Sequence, residues 1–268
     1  MIKTILSSKV TYVILFLYTI TLVWWLYINT QSMHNTTTSY LFNWFYGIIA
    51  LIGAVYGIYT SIKVWGGFSS IMGKALIFLA LGLLGQWFGL QVWTYYNVIA
   101  RLEVPYPSLA DIGYFALIPC YAIAAYFIAY ASGAKFSLKT PIGKILAGSI
   151  PVVALLTSYF LFIRNVGFDF ADPLRLFLDI GYPLGEVIPV SIAIFTISLA
   201  TGILGGSMKS RIVFLTFAFS FQFITEYIFL YKAGLGIYSN GGFSDLMYAT
   251  SYTIMSLALI SFIEYRKA

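Results

Sequence analysis

Apolar residues gather into eight long stretches, roughly 10–28, 40–62, 75–97, 108–131, 145–163, 173–200, 212–232 and 244–263; the segments after even stretches carry Gly, Ser and Lys, and those after odd ones are longer and richer in aromatic residues and Pro. Wound as helices, runs of about twenty apolar residues match the hydrocarbon thickness of a bilayer. The pattern predicts an all-α polytopic membrane protein: eight transmembrane helices in a single membrane domain, residues 1–268, with no room for a separate soluble one.

Within this pattern a short phrase returns four times: Asn43-Trp-Phe-Tyr46, Asp111-Ile-Gly-Tyr114, Asp179-Ile-Gly-Tyr182 and Asp245-Leu-Met-Tyr248. Its first residues are 68, 68 and 66 positions apart. Each phrase opens an even-numbered apolar stretch, and an odd-numbered one precedes it. Self-similarity at a fixed period marks repeat architecture. The expectation is four parallel helical-hairpin repeats at approximately 9–73, 74–143, 144–210 and 211–268.

Polar residues at the starts of the even stretches read as helix caps. Pro107-Ser108-Leu-Ala-Asp111 has the spacing of a capping box, Asp172-Pro173 puts a capping acid before a proline at the first helical position, and Ser244-Asp245 continues the theme. On that reading the recurring acids satisfy free backbone amides. A second reading places Asn43, Asp111, Asp179 and Asp245 around a shared outer vestibule, where three carboxylates and an amide hold a cation or polar ligand. A third makes them packing contacts between repeats. The sequence leaves all three open.

Two acids lie deep in the apolar stretches. Asp179, Tyr182 and Glu186 stand at i, i+3 and i+7, on one helical face. Pro183 and Pro189 flank Glu186 and each removes a backbone donor, which predicts a kinked or locally opened sixth span. Irregular backbone at membrane depth lines a cavity or is buried in protein. Glu226 follows Gln222 by four residues, and Gln86 falls at nearly the same place in its own repeat. These polar groups act either as glue between helices or as a ligand or proton site. Pairing of Glu226 with Arg101, Arg164 or Arg175 is a further option. Aromatics of the third and seventh stretches, among them Trp87, Phe88, Trp93, Tyr95, Tyr96, Tyr227 and Tyr231, are candidate walls of an apolar pocket.

Composition sharpens the picture by exclusion. Apolar residues make up 60% of the chain and charged ones 9%, against roughly 25% charged in soluble domains. The net charge of +6 is a matter of topology. Eleven of the fifteen basic residues, including Lys63, Lys74, Lys135, Lys139, Arg266 and Lys267, fall at the termini or in loops after even stretches. That asymmetry predicts both termini in the cytoplasm of a multi-pass cell-membrane protein. Membrane lipids are the expected surroundings, and nothing resembles a nucleic-acid surface. With His34 the one histidine and Cys120 the one cysteine, no haem or zinc site is expected. No lysine lies in mid-span, so neither is a retinal Schiff base, and no catalytic motif is present.

The segment Val104-Pro-Tyr-Pro-Ser-Leu-Ala-Asp-Ile-Gly-Tyr114 resembles the Pro-Ser-Leu-Ala-Asp-x-x-Tyr phrase of multipass N-terminal membrane sensory regions in prokaryotic signalling proteins, the type found ahead of diguanylate cyclase or histidine kinase domains. Asp179-Ile-Gly-Tyr182-Pro183 and Ser244-Asp245-Leu-Met-Tyr248 follow the same pattern. The resemblance implies a sensory or ligand-binding membrane module. Here the sequence stops a few residues after the last apolar stretch, so output is expected to pass through another membrane or cytoplasmic protein. Three functions follow in order of expectation: an integral membrane sensor or ligand-binding scaffold, a proton-coupled transporter using Glu186 or Glu226, and a structural subunit of a membrane complex.

Overall fold

The computed structural model describes residues 1–133, 139–165, 170–203 and 206–263. Lys135, Arg266 and Lys267 lie outside the described residues. Among those described, the chain is helical without strands. A short α1 (Ile2–Ser7) leads into α2 (Lys9–Thr30), α3 (Thr37–Trp65), α4 (Ile71–Thr94) and α5 (Leu109–Ala131). Then follow α6 (Pro141–Leu161), α7 (Pro173–Gly185), α8 (Val187–Ile203), α9 (Gly206–Gly234) and α10 (Phe243–Ile260).

Seven helical segments among the described residues are long and apolar enough to cross a membrane. They are α2, α3, α4 with its extension to Ala100, α5, α6, the α7–α8 stretch from Pro173 to Thr196, and α9 from Met208. The eighth expected span is helical too, as α10, but it is not one of these seven. The reason is its composition. Ser244, Asp245, Ser251, Tyr252, Thr253 and Ser256 are all buried. A helix enclosed by other helices can carry such residues because they face protein rather than lipid.

Capping fixes where several helices start. Ser108 and Asp111 form the expected reciprocal box, Asp111 Oδ2 accepting from the Ser108 amide at 2.7 Å. Asp172 accepts from the Arg175 amide at 3.0 Å and caps α7. Thr36 and Ser39 form a second box on α3. The expectation for Ser244 needs correction: α10 begins at Phe243 after Gly242, and the buried Ser244 hydroxyl has no hydrogen-bond partner among the described residues. Gly241, at φ +78°, lets the chain turn there, and its amide donates to Asp245 Oδ2 at 2.6 Å.

Helices α3, α4, α5, α8, α9 and α10 pack in that order, and α10 returns to α3, closing a ring. The main core lies inside it, with Tyr46, Leu79, Leu83, Leu117, Tyr121 and Tyr252 almost wholly buried. Backbones come closest between α4 and α5, where Gly85 faces Gly113 and Gly89 faces the Tyr114 ring. Small residues permit such approach in helix bundles that lack a strong hydrophobic driving force between helices. Outside the ring, α2 lies against α3 and α10, and α6 against α8. Their outer faces are apolar and exposed (Phe16, Val23, Ile145 and Val153 among them), as lipid-facing helices require.

The expected irregularity of the sixth span is present, and it falls at Glu186. Helix α7 ends at Gly185 and α8 starts at Val187. Across the junction the backbone bonds lengthen: Glu186 N to Tyr182 O is 3.3 Å and Val190 N to Glu186 O is 3.4 Å. The Pro183 carbonyl, released by the break, accepts from Ser158 Oγ of α6 and Tyr227 OH of α9, each at 3.0 Å. Side chains of two neighbouring helices thus supply the donors that the broken helix withholds.

Candidate functional site

A cavity of about 940 Å³, walled by helices of the ring together with α6 and α7, lies at the end of the bundle that carries residues 101–108 and 235–242. That end is opposite the Gly66–Ser70 turn. All four opening residues of the recurring phrase, Asn43, Asp111, Asp179 and Asp245, line the cavity. So do the four closing tyrosines, Tyr46, Tyr114, Tyr182 and Tyr248. Gln86, Glu186 and Glu226 lie on the same wall surface. Of the sequence-derived site residues, Gln222 alone does not line it; Gln222 is buried behind Glu226 and bonded to it.

The acids are held in different ways. Asp111 has two partners: besides capping α5, its Oδ1 accepts from Tyr182 OH of α7 at 2.8 Å. Asp179 accepts from Tyr106 OH at 2.8 Å and lies 3.8 Å from Arg175 Nε. Asp245 is buried and accepts from Tyr238 OH at 2.9 Å and from the Gly241 amide. With the Asn43 side chain turned so that its nitrogen faces the carboxylate, that nitrogen donates to Asp245 Oδ2 at 2.9 Å. Capping and inter-helix bonding, alternatives on the sequence alone, thus coexist on Asp111.

Glu226 sits in a network of neutral donors. Its Oε1 accepts from Gln222 Nε2 at 2.7 Å and from Gln86 Nε2 at 3.4 Å, and its Oε2 from Tyr248 OH at 2.6 Å. Tyr252 OH donates to Gln86 Oε1 at 2.7 Å, and Ser251 Oγ to Gln222 Oε1. Helices α4, α9 and α10 are tied together here. Pairing of Glu226 with an arginine is not what the structure contains: Arg175 pairs with Asp179, and Arg164 lies over the Phe160 ring.

Glu186 differs from the other four acids. It is 4% exposed, lines the cavity, and its carboxyl makes no hydrogen bond among the described residues. The interruption between α7 and α8 falls at this residue.

Several contributors escaped the sequence reading. Tyr238, from the loop before α10, lines the cavity beside Asp245 and Trp93, and Asn240 of the same loop is buried behind it; Trp93 Nε1 donates to Asn240 Oδ1 at 3.1 Å. Asn35 Oδ1 anchors that loop by accepting from the Asn240 amide at 2.9 Å. No periodic signal marks loop residues of this kind, since their position depends on how two distant loops meet. Tyr106 was legible inside the quoted Pro-rich segment, though without a role. Burial and then the bond to Asp179 push the Tyr106 phenol up, and burial with the nearby Asp245 charge does the same for Tyr238, so both remain hydroxyl donors at ordinary pH. Of the expected wall aromatics, Trp93 and Tyr231 line the cavity, while Trp87, Phe88, Tyr95, Tyr96 and Tyr227 do not.

Comparison of the chain with models of known families, with curated proteins and with solved structures found no match.

Proposed function

We propose that this chain is a multi-pass cell-membrane protein that binds a small molecule in its cavity and transmits the bound state to a partner protein. In this reading α10 is an eighth, protein-enclosed span, the four hairpins run parallel, both termini are cytoplasmic and the cavity opens outwards. One observation carries the proposal: the four recurring phrases, separated by more than sixty residues each, converge on a single cavity. Cavities of a few hundred to about 1,000 Å³ with apolar walls and a few placed polar groups are the usual form of small-molecule sites. The resemblance to prokaryotic membrane sensory regions supports the same reading.

Native mass spectrometry of the protein released from nanodiscs tests it. A small molecule is expected to remain bound to the parent chain and to be lost from a Tyr182→Trp variant, whose larger ring intrudes on the cavity. An unchanged spectrum of bound species in the two proteins, lipids only, would count against ligand binding and favour a structural role in a larger complex.

The break at Glu186 favours one second reading, a proton-coupled transporter in which that carboxyl carries the proton. Its requirement is concrete: proteoliposomes must show substrate flux that responds to a pH gradient and disappears in Glu186→Gln.

A further inference from the structure

The chemistry of the cavity points to a ligand class. Each of four wall carboxylates is already engaged: Asp111 by Ser108 and Tyr182, Asp179 by Tyr106 and Arg175, Glu226 by Gln86, Gln222 and Tyr248, Asp245 by Tyr238 and Gly241. Glu186 is the fifth, buried and without a donor among the described residues. A carboxylate so placed is costly unless something supplies positive charge and an N–H. We propose that the cavity binds an organic ammonium compound, whose nitrogen pairs with Glu186 while its apolar body lies against the tyrosine rings.

This rests on the ligand-binding reading above and deepens it. The rings available are Tyr46, Tyr114, Tyr182, Tyr248 and Tyr252. Three of their hydroxyls are already spent, those of Tyr182, Tyr248 and Tyr252 donating to Asp111, Glu226 and Gln86. Ring faces attract cations and pack against hydrocarbon, so an amine with an apolar body satisfies both acid and aromatics. A metal ion fits less well. No group of three His, Cys, Asp or Glu side chains able to hold one occurs among the described residues. An anion would meet five carboxylates against two arginines, of which Arg175 is tied to Asp179 and Arg164 is exposed at the rim.

The experiment uses the full chain in nanodiscs and three probes of matched shape: 4-phenylbutylamine, 4-phenylbutanol and 4-phenylbutyrate. Calorimetry is expected to show saturable binding of the amine and at least tenfold weaker binding of the alcohol and the acid. Glu186→Gln should weaken the amine by about ten- to a hundredfold, the worth of one charge-assisted contact, while leaving the alcohol unchanged. A second measurement avoids reliance on that variant. A hydrophobic carbodiimide should label Glu186 of the parent chain in preference to Glu226, and the amine should protect it.

Equal affinity for amine and alcohol, no saturable amine binding, or labelling indifferent to the amine would each overturn the proposal. Failure here is separable from failure of the broader reading. If a neutral or anionic molecule co-purifies in the cavity, the ligand class is wrong and the binding site stands; if nothing co-purifies and no probe binds, both fall.

Discussion

Tyr248 shows how a single hydroxyl can organise the cavity wall. It lies one helix away from Glu226 in the ring and donates to Oε2 at 2.6 Å, while Gln222 and Gln86 occupy Oε1. Phenylalanine at 248 preserves the ring and removes the donor, leaving one oxygen of a buried acid without a partner. Such a loss costs about 1–3 kcal/mol. Thermal unfolding of Tyr248→Phe in nanodiscs is therefore expected at a lower temperature than that of the parent, whereas Tyr12→Phe, on an exposed face of α2, should unfold with it. Coincident transitions for all three proteins would show that the network is not stabilising. The deep polar residues Gln86, Gln222 and Glu226 were legible in the sequence because a polar side chain in an apolar run stands out. That Glu226 would be saturated and Glu186 left bare was not legible. The difference lies in which neighbours approach each carboxyl: Gln222, Gln86 and Tyr248 donate to Glu226, and no donor among the described residues reaches Glu186.

Among the elements, the α4–α5 pair is decided by backbone proximity. A Cβ placed on Gly85 would stand 2.7 Å from the Gly113 carbonyl oxygen, and one on Gly113 2.4 Å from that of Gly85. Neither contact can be relieved by turning a side chain. Gly85→Ala is expected to push the helices apart and destabilise by about 1–3 kcal/mol. Gly148 on α6 has open space around its Cβ position, so Gly148→Ala should be neutral or stabilising by up to about 1 kcal/mol through helix propensity. Equal behaviour of the two variants in thermal unfolding would remove the packing argument. The kink in the sixth span was readable from Pro183 and Pro189. Its repair was not, because Ser158 and Tyr227 reach the Pro183 carbonyl from helices whose own sequences carry no hint of that task.

Across the whole molecule, the asymmetry of basic residues and the placement of the cavity make one claim about orientation. In a Cys120→Ser background, single cysteines at Leu102 and Leu235, both exposed at the cavity end, should react with an impermeant maleimide on intact cells. Cysteines at Phe68 and Lys139, exposed at the opposite end, should react only after permeabilisation. Labelling of all four from one side would end the parallel-hairpin scheme and with it the outward-opening cavity.

The sequence by itself determined that the chain is helical and membrane-like, because long apolar runs with few charges leave the backbone no other way to satisfy its hydrogen bonds in lipid. It also determined where polar residues recur, since a period of 66 to 68 residues is visible without any contact. Only the tertiary structure decided that Asn43, Asp111, Asp179 and Asp245 face one cavity, that α10 carries buried Ser, Thr and Asp side chains because other helices enclose it, and that among the described residues Glu186 is the wall acid without a donor. Periodicity is a property of the chain read in order. Enclosure and the pairing of carboxyls depend on which helices end up adjacent, and adjacency is settled by packing.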